Sequence, residues 1–405
     1  MFLLLALACS DKDSTETGDL LAVDSSAQDR PGPCDGSWDE VDGWVERETA
    51  LHVSPTGNAE GVGSLDDPFD SLATALTWAR ENQPGADIVL WPGTYSDTAA
   101  VLFAATEQGI DDSGSSIVGC GTGSTILVGT STAATLDVVG VTDITLGGFT
   151  IQGGYRGLQI HGGADLQAES LVIDGATRIG ALVDGPATQA RLANLTVKNT
   201  ALDEGAFGWG IAVQDATVAL EEPTIQDVHT VGLLVHFGNA TVSGGSITGV
   251  SADPSGLYGR GVQLQALSSG SLSGLLVQQT QDAGIFAHRT VSLDVNDIWV
   301  VDTGAGLTEE GGTPTGDGLV VTQAEGNFDP AEFQVSVTDS VFENSARAGV
   351  LIDGATAELS GVTTPGAGLT QEGLSVFGQN DAQVSGDAVQ AQTPLGLNLG
   401  TLKEN

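Results

Sequence analysis

The chain has 405 residues, 57 of them Gly, and 40% are apolar, which is enough to build a long core and argues against global disorder. Lys and Arg number 12 against 53 Asp and Glu, leaving a formal charge of −41 that counts against a nucleic-acid duplex or an anionic membrane surface as a direct partner. The same repulsion opposes polyanionic glycans such as pectate or alginate unless Ca2+ bridges them.

The first eight residues, Met1 to Ala8, are apolar and lead straight into Cys9, Ser10 and Asp11. After them no stretch approaches the roughly 20 apolar residues of a membrane span. An apolar run, a small Ala8, a cysteine and a polar continuation resemble the end of a bacterial lipoprotein signal. The resemblance implies that residues 1–9 are a signal remnant with lipid on Cys9, so that the chain is exported and touches a membrane only through that anchor. Ser10 implies sorting to the outer membrane or cell surface. With Cys9 so taken, Cys34 and Cys120 remain, either as a disulfide in an oxidising compartment or as separate thiols. Residues 10–48, rich in Asp, Ser, Thr, Gly and Pro, are expected to form a disordered acidic tether, with Trp38, Val41 and Trp44 as the first packed residues.

From Leu51 the pattern changes. Leu51–Asn58 reads as a short strand and turn, and Leu72, Ala75, Leu76 and Ala79 fall at helical spacing within about 71–82. Asp87 to Tyr95 (Asp-Ile-Val-Leu-Trp-Pro-Gly-Thr-Tyr) reads as a buried strand ended by a turn. In this order, Val-Ser-Pro-Thr-Gly-Asn, Asp-Pro-Phe, the helix and Ile-Val-Leu-Trp-Pro-Gly-Thr-Tyr resemble the opening of bacterial right-handed parallel β-helix proteins of the pectin-lyase-like superfamily. The resemblance implies that fold, with the helix capping the first coil. It implies no single chemistry, because hydrolases, lyases, epimerases, adhesins and scaffolds share the fold.

The repeat is also visible in the residues themselves. A Gly followed by alternating aliphatics recurs at Gly157, Gly180, Gly210, Gly232, Gly261, Gly284, Gly318, Gly349, Gly373 and Gly396. A strand period of 2 inside a coil period of about 23 residues marks a solenoid. A second strand block follows in each unit, for example Leu195-Thr-Val197 or Ile298-Trp-Val300. Two residues past it stand Gly175, Asn199, Asp227, Gly249, Gln279, Asp302 and Asn344. Gly, Asn and Asp best tolerate a left-handed backbone, so a stacked turn is expected there, with Gln279 out of character. The expectation is one all-β domain over 49–405, a solenoid of roughly 11–12 coils and on the order of 55 Å long.

In each Gly-led strand the first and third residues after Gly should face inward, and the second and fourth outward. The fourth positions read His161, Asp184, Gln214, His236, Gln265, His288, Thr322 and Asp353, a ladder holding three of the five histidines. Inserts before Gly210, Gly261 and Gly318 would rise as a wall beside it, carrying Phe207, Trp209, Tyr258 and Arg260. Aromatics beside amides and imidazole suit sugar rings, although such aromatics can equally tuck beneath their own loops. The chain is therefore expected to bind a polysaccharide or cell-surface glycan through Gln214, His236, Gln265, Phe207, Trp209, Tyr258 and Arg260, or to act as an adhesive module. The alternatives are a polysaccharide lyase or glycoside hydrolase in the same groove, with Asp184, His236 and Arg260 as acid, base and charge stabiliser, or an architectural envelope protein. Metal-ligand motifs are absent and no cofactor is expected, while acidic loops such as Asp203-Glu204 or Asp317 could hold Ca2+.

Overall fold

The structure is a computed structural model that describes Cys34 and residues 49–105, 109–307, 314–323, 333–368, 375–380 and 382–387. Cys9, the 10–48 segment apart from Cys34, and the Gly373 and Gly396 strand starts lie outside the described residues. The described chain from residue 49 winds as a parallel β-solenoid, and its one helix is Leu72–Asn82.

Each central coil holds three strands. One coil runs Trp209–Gln214, Thr217–Glu221 and Thr224–His229, and the next runs Val231–His236, Asn239–Ser243 and Ser246–Ser251. Each strand pairs in parallel with its counterpart one coil on. The middle strand of each coil was not among the expected elements. It reads Thr-Val-Ala-Leu-Glu, Asn-Ala-Thr-Val-Ser and Ser-Gly-Ser-Leu-Ser on successive coils. Its two inward positions are Val218 and Leu220, then Ala240 and Val242, then Gly270 and Leu272, so the pattern fades along the stack, yet it closes the third side of the core.

The repeated Gly lets coils approach. A Cβ on Gly210 would stand 2.5 Å from the carbonyl oxygen of Gly232, and one on Gly232 would stand 2.6 Å from that of Gly261. Those contacts place the three glycines in adjacent layers, as the repeat predicts, and leave no room for any side chain. The turns carry the opposite requirement. Asn199, Asp227, Gln279, Asp302 and Asn344 all have φ between 53° and 58°. Gln279 therefore obeys the stack rather than its own preference. A second left-handed row, Asn194, Glu222, Asp297 and Asp339, follows the middle strands.

Inward aliphatics from Leu51 to Val376 make one continuous core. At its start, Leu72, Ala75, Leu76 and Ala79 of the helix are buried, and the Ser71 hydroxyl accepts from Thr74 N–H at 3.2 Å as the N-cap. The helix lies where the sequence places it. Cys34 and Cys120 are joined by a disulfide, with Cα atoms 5.3 Å apart.

Candidate functional site

The fourth-position ladder stacks in register. Asp184 pairs with Gln214, Gln214 with His236, His236 with Gln265 and Gln265 with His288. Its exposure differs from the expectation. His161, Asp184, Gln214 and His236 are half-buried, whereas Gln265, His288, Thr322 and Asp353 are buried. The second positions from Leu182 to Leu351, which also face outward, are buried as well. Leu182, Ala212 and Leu234 are apolar and gather with Ile179, Val231 and Trp209 into a cluster outside the solenoid core. Further along, Phe286, Val320 and Leu351 form another with Ala283, Ala348 and Phe377. This outer face is a covered surface over much of its length.

Over the end of the first cluster, on the side toward the second, opens a cleft of about 380 Å³. Val231 and Leu234 floor it, Phe207, Trp209 and Tyr258 wall it, and Gln214, His236, Gln263 and Gln265 supply polar groups. Six of the seven residues expected to bind ligand therefore meet in one place. Gln263 was missed because the second positions of the neighbouring coils, Leu234 and Phe286, are apolar. Only the fact that they face outward marks it.

The walls are braced. In the loop before Trp209, Asp203 and Ala206 exchange backbone hydrogen bonds at 2.9 Å around Glu204-Gly205, both with positive φ, a tight hairpin turn. Arg178 anchors it by donating to Asp203 Oδ2 at 2.8 Å, and its Cζ lies 3.4 Å from the Phe207 ring centroid. Phe207 meets Trp209 edge-on, with ring centroids 5.0 Å apart. On the opposite wall, Asp253 Oδ1 accepts from Ser255 N–H at 2.9 Å and from Leu257 N–H at 3.0 Å, an Asx-type turn that carries Tyr258. Phe207 and Tyr258 both have φ of 64°, and with Trp209 they are half-buried, so their rings neither tuck away nor stand free.

Three sequence expectations are corrected. Arg260 does not belong to the wall. It is the first residue of Arg260–Gln265, pairs with Val231, is 3% exposed and is absent from the cleft lining. Its Nε donates to Asp282 Oδ2 at 2.6 Å and its Cζ lies 3.8 Å from the Phe286 ring centroid. It is thus a buried, paired cation. Asp184 lies two coils before Arg260's strand neighbour His236, outside the lining, so Asp184, His236 and Arg260 do not converge. Asp317, expected in an acidic loop, begins a strand at 0% exposure and is tied to Arg347 and to Ala348 N–H. Burial pushes its carboxyl above the ordinary range against the pull of Arg347. Of the other two acids named for Ca2+, Asp203 is bound to Arg178 and Tyr155, and Glu204 is exposed in the turn beside it.

Chemically, the cleft offers aromatic faces, an apolar floor, amides and one imidazole. Among the described residues its only lining carboxylate is Asp253, so the facing acid pair of a glycosidase, about 5–9 Å apart, is not formed by the lining.

No family model and no curated protein matches the sequence. Among solved structures the chain is similar to a rhamnogalacturonan lyase, at 13% identity and a TM-score of 0.49, over 83% of this chain and 87% of that one. It is also similar to the pectate lyase Pel9A, at 14% identity and a TM-score of 0.41, over 85% and 79%. An alginate lyase from a Paenibacillus strain aligns at 18% identity and a TM-score of 0.39, over 77% and 97%. At such identities and overlaps the substrate of none of them transfers to this chain.

Proposed function

We propose that this protein is a non-catalytic carbohydrate-binding or adhesive module, anchored by lipid on Cys9 and displayed at the outer membrane or cell surface. The observation that supports the binding reading is the cleft, where Phe207, Trp209 and Tyr258 stand over amides and imidazole contributed by three successive coils. Sugar rings present CH faces to aromatics and hydroxyls to such polar groups. The buried pairing of Arg260 and the position of Asp184 weigh against the lyase or glycosidase alternative.

The test is retention on immobilised polysaccharides, scored together with release of reducing or unsaturated ends. Retention without release is expected, and Trp209→Ala or Tyr258→Ala should each weaken it about tenfold, equivalent to about 1.4 kcal/mol. Release of ends that His236→Ala abolishes would replace this reading with the enzymatic one. The anchor is tested separately, by palmitate labelling that Cys9→Ser should remove.

A further inference from the structure

Four buried or half-buried polar side chains connect the interior of the outer face to the cleft. Arg260 Nη1 donates to Gln263 Oε1 at 3.0 Å, Gln263 Nε2 donates to Gln265 Oε1 at 2.5 Å, and Gln265 Nε2 lies 3.1 Å from His236 Nδ1. Behind them Asp282 holds the Arg260 Nε. Asp282, Arg260, Gln263 and Gln265 are each no more than 8% exposed, so their polar groups depend on partners within the protein.

The direction of this chain is fixed at its buried end. A guanidinium has donors only, so the group of Gln263 that faces it must be the amide oxygen. The amide nitrogen of Gln263 then faces Gln265 and requires an oxygen there, which turns the Gln265 nitrogen toward His236. Nδ1 of His236 must accept, which leaves an uncharged ring with its proton on Nε2.

The charge count of the cleft follows. Arg260 is neutralised by Asp282, the three glutamines carry no charge, and His236 in this tautomer carries none. Asp253, already accepting three hydrogen bonds from Ser255 and Leu257, adds one carboxylate at the wall. A uronate entering this cleft would meet no cation among the lining residues and one like charge, on a chain with a net charge of −41. A neutral sugar meets aromatic faces and oriented amides at no such cost.

We propose that the buried Arg260–Asp282 pair is the positioning device of the cleft: it passes hydrogen-bond polarity to His236 without passing charge, and so selects neutral glycans over uronates. The glycan class rests on the carbohydrate reading above, whereas the tautomer does not.

The chain can be read without ligand, by long-range 1H–15N correlation of the His236 ring at mildly alkaline pH. The wild type is expected to show an unprotonated Nδ1 and a protonated Nε2. In Gln263→Glu the carboxylate can accept from Arg260 but has no hydrogen to give Gln265. Gln265 then turns its oxygen to His236, and the ring proton moves to Nδ1. Gln265→Glu produces the same switch one link later and carries the test if the first variant does not fold. Gln214→Glu places a carboxylate beside His236 outside the chain and should leave the tautomer as in the wild type. A wild-type proton on Nδ1, or an unchanged tautomer in both chain variants, overturns the mechanism. In a second arm, retention is compared on neutral glucans, mannans and galactans and on polygalacturonate with chelator present. Retention on neutral polymers alone supports the class; retention on polygalacturonate overturns it. Retention on none overturns the class together with the carbohydrate reading, and the tautomer result separates that failure from a failure of the chain.

Discussion

His52 is buried in the first coil, where its Nδ1 accepts from Trp91 Nε1–H at 3.2 Å, and burial holds its pKa below the ordinary 6.5. The unfolded chain therefore takes up a proton first as pH falls through 6.5, and stability falls with it, while above 6.5 the contribution is complete. His52→Gln should flatten the dependence of the denaturation midpoint on pH below 6.5; a curve parallel to the wild type would contradict this. Gln279 makes a prediction of opposite sign. It holds φ 57°, a conformation that costs a residue with a Cβ about 1 kcal/mol. Gln279→Gly should raise stability by about 0.5–1 kcal/mol in urea denaturation, and a loss would show that its side chain contributes more than the strain. Asn199, Asp227 and Asp302 announce the same turn in sequence because their short polar side chains suit it. Gln279, Phe207 and Tyr258 announce nothing, because the register imposes the conformation on them.

At the scale of strands and turns, the Gly-led strand was legible because two requirements coincide in it. A missing Cβ permits the coil above to approach, and alternating aliphatics fill the core. Gly232→Ala would drive a methyl to 2.6 Å from the Gly261 carbonyl oxygen and is expected to cost about 3 kcal/mol, as overpacking does. Gly175 offers the comparison, since a Cβ there meets nothing within 4 Å but φ is +74°. Gly175→Ala should therefore cost only about 1 kcal/mol. Equal losses at the two positions, measured by denaturant unfolding, would remove close stacking as the reason for the repeat. The middle strands stayed hidden because each is only about five residues long and, in several, one of its two inward positions holds a small residue, as Ala240 and Gly270 do. The wall aromatics were legible from the inserts that lengthen particular coils. Arg260 was misplaced because it adjoins such an insert in sequence, while its partner Asp282 lies 22 residues on. Nothing local marks that pair; only the stack brings the two side chains together.

Over the described solenoid, the Gly-led face carries a polar ladder beside two apolar clusters, and the cleft opens where Gln263 stands between Leu234 and Phe286 in the outward row. Because the proposed recognition uses no charge pairing, retention on a neutral glycan should be nearly insensitive to added salt despite the net charge of −41. A steep fall with ionic strength would point to ion pairing elsewhere on the surface. The most direct test is hydrogen exchange with and without the retained polysaccharide. Protection should concentrate in Trp209–Gln214, Val231–His236 and Arg260–Gln265 and in the loops that carry Phe207 and Tyr258. Protection centred instead on the middle strands, such as Thr217–Glu221 and Asn239–Ser243, would contradict the account.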